Sequence, residues 1–178
     1  WSGAEPDVLP AGDQSKGYKA LMLQHGSGKY PVHADILKHA VGKDGSQSKP
    51  EDIGDVLYNR GLVNAMLGVE AIRTAMAKFG NKPLTGEQVR WGLENLNLTE
   101  ERLKALGFEG ALKPLKISCA DHEGARTARV HQWDGAKWNV ISDWYTADDA
   151  LLGPMVRDTS DKYAKEKNIA PRDCSKES

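Results

Sequence analysis

The chain has 178 residues, of which 39% are hydrophobic and 28% charged, and its formal net charge is -1. That balance is ordinary for a globular protein and carries no basic excess, so nothing in it points to nucleic acid. No apolar run reaches the length of about 20 residues that a membrane-spanning helix needs.

Residues 1–16 hold Gly3, Pro6, Pro10 and Gly12 among several acids and read as loop. Residues 17–24 form a strand candidate that the glycines at 26 and 28 break. Val32, Ile36, Leu37, Ala40 and Val41 fall at helical spacing, which predicts a short amphipathic helix over 32–41. A loop follows over 42–47. Ser48 and Glu51 fit the two ends of a capping box. The box would open a long helix running to about Phe79 and stopping at Gly80. Inside that helix Val56, Leu57, Val63, Met66, Leu67 and Ile72 have helical spacing. Gly54, Gly61 and Gly68 recur every seven residues and share one face, where a neighbour could approach closely.

Thr85 and Gln88 form a second capping box, with Leu84 and Val89 as its hydrophobic staple. The helix it opens ends near Asn97. Thr99 caps another short helix that stops at Gly107. Over 108–125, Gly110, Pro114 and Gly124 surround the short run Leu115-Lys116-Ile117. Residues 126–133 and 136–144 read as two strands, with Asp134-Gly135 between them as a type I′ hairpin signal. From residue 147 the chain is polar, with one helical stretch around 158–167.

Only three or four strands can be counted, fewer than the helices that would cover them. An α/β sheet needs both faces covered, so the pattern reads as an incomplete part of a larger α/β protein. The first residue is Trp1, not Met, which fits either a removed leader or a piece of a longer protein. The cysteines, Cys119 and Cys174, lack the close spacing of a metal or redox motif.

Three polar side chains, Tyr58, Asn59 and Arg60, fall near the start of the long helix. Unpaired buried polar groups cost a few kcal/mol each. Their partner is therefore a ligand in a cleft or a satisfied structural network. Asp121-His122-Glu123 has poor spacing for a metal, because adjacent residues rarely converge on one ion, and it reads as a turn. Gly26-Ser27-Gly28-Lys29 lacks the earlier glycine of a phosphate loop. His25, His33, His39 and His131 are scattered, and no nucleophile–base set assembles. No cofactor, metal or catalytic group is expected.

Several segments occur in a familiar order. They are Trp1-Ser2-Gly3-Ala4-Glu5-Pro6-Asp7, Gly17-Tyr18, Tyr58-Asn59-Arg60-Gly61, Leu84-Thr85-Gly86, residues 118–124, and Gln132-Trp133-Asp134-Gly135. With them the chain resembles the C-terminal half of a type I periplasmic solute-binding protein. The nearest group is the branched-chain amino acid (Leu/Ile/Val) receptors of ABC transporters. The resemblance implies part of a two-lobed fold with incomplete three-layer α/β lobes. Residues 1–27 would end the second lobe, with a cleft loop and its last core strand, and 28–108 would be a helical segment of the first lobe. Residues 109–150 would form a crossover and the β-hairpin of the second lobe, and 151–178 a C-terminal tail.

The function implied is an extracytoplasmic, periplasmic binding component of an ABC importer. It would capture an amino acid or small organic carboxylate between the lobes by hinge closure. Its partners would be the missing N-terminal half, as a second chain or cleaved parent, and a membrane ABC permease. A sensor or an enzyme on the same scaffold is the alternative. Export makes a Cys119–Cys174 disulfide, tying the tail to the body, the reading to test against two free thiols.

The resemblance also implies site residues. Glu5 lies in the loop that supplies an acid to a ligand ammonium, unless it is a solvated loop acid. Trp1 and Ser2 would wall the pocket, or be a frayed end. Tyr58, Asn59 and Arg60 would face the cleft at a helix N-terminus, which favours anions. Arg60 is the best carboxylate fork, with an inter-lobe salt bridge as its competing role.

Overall fold

The computed structural model describes residues 3–24, 28, 30–43 and 46–176. The fold is α/β. Its longest strand, β4 (Thr127–Trp133), pairs antiparallel with β1 (Lys19–Met22), placing Lys19 opposite Gln132 and Met22 opposite Arg129. β5 (Trp138–Val140) and β6 (Tyr145–Thr146) also run antiparallel to β4. Between these two pairings Ser142 Oγ accepts the Val130 N–H. β1 alternates exposed and buried residues, as a half-covered strand must. Ala20 and Met22 point inward to a cluster with Ala4, Val8, Val56, Trp133 and Trp138.

A second cluster forms further along the chain. Met66, Leu96, Leu98, Leu103, Phe108, Ala111 and Leu112 are its buried members. It draws on α3 (Val56–Phe79), α5 (Glu100–Ala105) and the small ladder of β2 (Asn97–Leu98) with β3 (Leu115–Lys116). The 24 residues of α3 link the two clusters, since Val56 belongs to the first and Met66 to the second.

α3 also packs on α4 (Gly86–Glu94) through Ala71 and Ala75, both fully buried. The backbones meet at Gly92, where a Cβ would stand 2.1 Å from the Ala71 carbonyl oxygen. Of the three glycines expected to admit a neighbour, Gly54 does, since a Cβ there would stand 3.0 Å from the Gly28 carbonyl oxygen. Nothing described lies within 4 Å of a Cβ built on Gly61 or Gly68, so the close approach to α4 uses alanines against a glycine of that helix. A bidentate pair locks α3 to α5: Arg102 Nε and Nη2 donate to the Glu70 carboxylate, each at 2.7 Å.

Both later caps form as read. Gln88 N–H donates to Thr85 Oγ1 and Thr85 N–H to Gln88 Oε1, while Arg102 N–H donates to Thr99 Oγ1. The Ser48 box does not open α3. Pro50–Asp52 make a separate 3-10 turn, and Ile53 is extended and buried. Gly54 then takes φ +109, so the helix starts afresh at Val56. The hairpin is shifted by one residue from the sequence reading. Asp134 N–H donates to the Lys137 carbonyl, leaving Gly135 and Ala136 at the tip, with Gly135 at φ +103. Asp134 instead accepts the Ala136 and Lys137 N–H groups on Oδ1.

α2 (Pro31–His39) matches its predicted place. α1 is a single turn, Glu5–Val8, leading into 3-10 turns over Leu9–Ser15. α6 (Asp149–Glu166) is much longer than the predicted tail helix and carries Pro154 inside it. Cys119 and Cys174 are joined as a disulfide, which ties the end of the chain to the turn after β3.

Candidate ligand-binding groove

The face of α3 carrying Val56, Arg60 and Asn64, spaced four residues apart, lies beside the end of β1. Together with Gly3, Leu21, Met22, Leu23 and Gln24 they line a groove of about 430 Å³. Its walls are mostly apolar, and its polar groups are the Arg60 guanidinium and the Asn64 and Gln24 amides. A second groove of about 620 Å³ shares Leu21, Leu23, Gln24 and Asn64 and continues to Leu67, Arg126 and Leu152. An apolar cleft with a few convergent polar groups is the usual form of a small-molecule site.

Glu5, the first residue of α1, reaches this region. Its Oε2 accepts the Val56 N–H at 3.0 Å, across 51 residues of sequence. The chain's own carboxylate therefore occupies the N-terminus of α3, where the sequence reading expects a ligand anion. Asp55 precedes the helix but makes no side-chain cap. Glu5 Oε1 is buried without a hydrogen-bond partner among the described residues. Burial is the largest influence on this carboxyl and pushes its pKa up. Its own backbone N–H and that of Val56 pull the other way, and the Asp55 charge adds to the rise.

Asn59 is buried and committed to the fold. His33 Nδ1 accepts the Tyr30 N–H at 2.9 Å, so Nε2 carries the proton. That nitrogen donates to Asn59 Oδ1 at 2.8 Å, and Asn59 Nδ2 donates to the Gly54 carbonyl. The relay fastens the start of α2 to the start of α3. Tyr58 stands edge-on to the His33 ring, with centroids 6.4 Å apart, and is not among the groove residues. The structure thus brings Arg60 to the groove and Glu5 to its end, and turns Tyr58 and Asn59 toward α2. Trp1 and Ser2 lie outside the described residues. Sequence reasoning missed Asn64, Leu21 and Leu23. Asn64 sits one turn beyond Arg60, which was a usable signal, but the exposed side of β1 had none.

Asp121 and Glu123 form a turn rather than a metal site. Both bind Arg126, which also holds Asp149. Arg126 takes φ +45, a left-handed conformation that side chains with a Cβ rarely adopt. His122 and Arg172 meet the buried Glu94 at 3.3 and 2.7 Å, close to the disulfide. Among the described residues no group of three His, Cys, Asp or Glu side chains could hold a metal, and no helix is long and apolar enough to cross a membrane.

No family model and no curated protein matches this chain. Two crystal structures do. One is described as an ABC transporter permease from the Pseudomonas fluorescens group. It is 47% identical, superposes with a TM-score of 0.90, and covers 98% of this chain and 42% of its own. The other is a branched-chain amino acid ABC transporter from Thermus thermophilus with bound valine, 20% identical with a TM-score of 0.62. It covers 88% of this chain and 39% of its own. The likeness to the Thermus protein is one of fold. The chain spans less than half the length of either protein, and both are ABC-transporter proteins.

Proposed function

We propose that this chain is part of an extracytoplasmic solute-binding component of an ABC importer, working in the periplasm beside a membrane permease. It would capture an amino acid or another small carboxylate between two lobes and perform no turnover. The observation that carries the reading is the groove between β1 and α3, with Arg60 on its wall and Glu5 at the adjacent helix start, in a chain 47% identical to a transporter protein. Arg60 would take the ligand carboxylate on its planar fork. Glu5 would take an ammonium on Oε1, the oxygen with no described hydrogen bond. Asn59 would act indirectly, by fixing the start of α3 through His33.

The two apolar clusters suit a division into lobes only in part, since Val56 packs in the first cluster and Ala111 and Leu112 in the second. Residues 1–27 and 109–150 would belong to one lobe and 28–108 to the other, with 151–178 as a tail. The face of α3 bearing Leu57, Gly61, Val69 and Ile72 has exposed apolar side chains and nothing described over Gly61. Such a face fits a helix that covers sheet strands lying outside this chain. The disulfide supports an oxidising compartment.

The test is calorimetric titration of the natively isolated particle with valine, and with carboxylates that lack an amine. Binding with loss of at least about tenfold in affinity for Arg60→Ala, or 1.4 kcal/mol, is the expected result. Glu5→Gln should weaken valine and spare plain carboxylates. Unchanged affinities in both variants would remove the groove from the ligand site.

A further inference from the structure

α6 is a helix of 18 residues with no buried residue. At 1.5 Å per residue it is about 27 Å long. A free helix of that length is marginal in water, and protein helices owe most of their stability to packing one face. α6 has such a face. Leu151, Leu152, Met155, Val156 and Tyr163 fall on one stripe, and each is at least 40% exposed.

Both ends of α6 are held. At its start Asp148 Oδ1 accepts the Ala150 and Leu151 N–H groups, and Asp149 pairs with Arg126 at 2.8 Å. Beyond its end the Arg172–Glu94 pair and the Cys119–Cys174 disulfide fasten the chain. Leu152 also lines the larger groove with Leu21 of β1 and Leu23 just beyond it. Leu152 is thus the one residue of the stripe that lines this groove, and Leu151, Met155, Val156 and Tyr163 are not among its lining residues. The Pseudomonas fluorescens-group protein matches nearly all of this chain with 42% of its own length, so it carries more polypeptide than this chain holds.

We propose that α6 is an arm anchored at both ends, and that its stripe docks on an apolar surface of the polypeptide that lies outside the matched part of the longer protein. This rests on the proposed reading only in taking the chain to work within a longer protein.

The test replaces the matched part of the Pseudomonas fluorescens-group protein with this chain. Hydroxyl-radical footprinting then compares the full-length hybrid with this chain alone at two concentrations, with buried Met66 as reference. Oxidation of Met155 at least tenfold slower in the hybrid is expected. Val156→Asp should lower the hybrid's Tm and leave that of the chain alone unchanged. If the hybrid does not fold, the same footprint is read on the two pieces refolded together. Equal oxidation of Met155 in both samples overturns the proposal. So does protection in the chain alone that grows with concentration, which would make a second copy the occupant. Protection without binding of valine or any carboxylate would keep the arm and defeat the receptor reading. Binding without protection would do the reverse.

Discussion

The α3–α5 region and α6 are both helical, and α4, α5 and α6 each begin with a side-chain cap. Thr85, Thr99 and Asp148 each accept backbone N–H groups at a helix start. Packing separates them. Leu96, Leu98 and Leu103 are at most 2% exposed, whereas the stripe of α6 stands in solvent. Local signals can start a helix, but burial of an apolar face is what makes it part of a cooperative unit.

The sharpest way to break this comparison is to shorten one side chain in each region. Leu103→Ala should cost about 3 kcal/mol, as transfer plus cavity terms predict for a buried leucine. Met155→Ala should change the stability of this chain by no more than about 0.5 kcal/mol. Urea unfolding followed by tryptophan fluorescence measures both. Comparable losses would mean that α6 is packed within the chain after all.

A smaller contrast lies in the ion pairs. The hydrogen bonds from Arg102 hold the Glu70 carboxyl below the usual carboxylate range, outweighing the opposing effect of burial. Among the described residues Arg102→Ala would leave Glu70 paired with Arg73, at 3.4 Å, and it should cost about 2 kcal/mol. Because the folded pKa is depressed, this contribution is complete above the unfolded carboxylate pKa. It disappears as pH falls through the folded value. The gap between wild type and variant should therefore hold from neutral pH down to the ordinary glutamate range and close below it. The exposed Lys162–Asp158 pair on α6 should give no measurable gap at any pH when Lys162 is replaced by alanine.

The sequence was most readable where a signal is local. The box at Thr85 and the cap at Thr99 needed only four residues each, and the hairpin, shifted by one residue, was signalled by Asp134 and Gly135 alone. The α/β class followed from the order of such elements. α6 was half hidden because Gly153 and Pro154 are helix breakers on propensity alone. The Ser48 box failed because buried Ile53 and left-handed Gly54 compete with it, and burial is not visible in a four-residue window. At the site, Arg60 could be found from its chemistry. The Glu5–Val56 contact spans 51 residues and the Glu70–Arg102 pair spans 32. The use of Asn59 by His33 is likewise tertiary, and of the two partners the sequence left open for this side chain it supplies a structural one.

The smallest effect concerns how the start of α3 is held to the N-terminal cluster. Two forces oppose each other at Glu5. A carboxylate at a helix N-terminus is favoured by the Val56 N–H and the helix dipole, whereas burial of Oε1 without a partner disfavours its charge. The net pKa is raised, with burial the largest cause. A raised folded pKa means that the protonated form is the better fit. Stability is then complete below the unfolded pKa and declines as pH rises through the folded one. Glu5→Gln keeps an acceptor for Val56 and removes the charge. In the absence of ligand it should therefore be more stable than wild type at pH 7, by less than about 1 kcal/mol, with the difference vanishing in acid. Melting temperatures of the two proteins from pH 3 to 8 measure this. A variant less stable than wild type at pH 7 would show that the charge on the helix start outweighs the cost of burying it. The link between the N-terminal cluster and α3 would then be electrostatic.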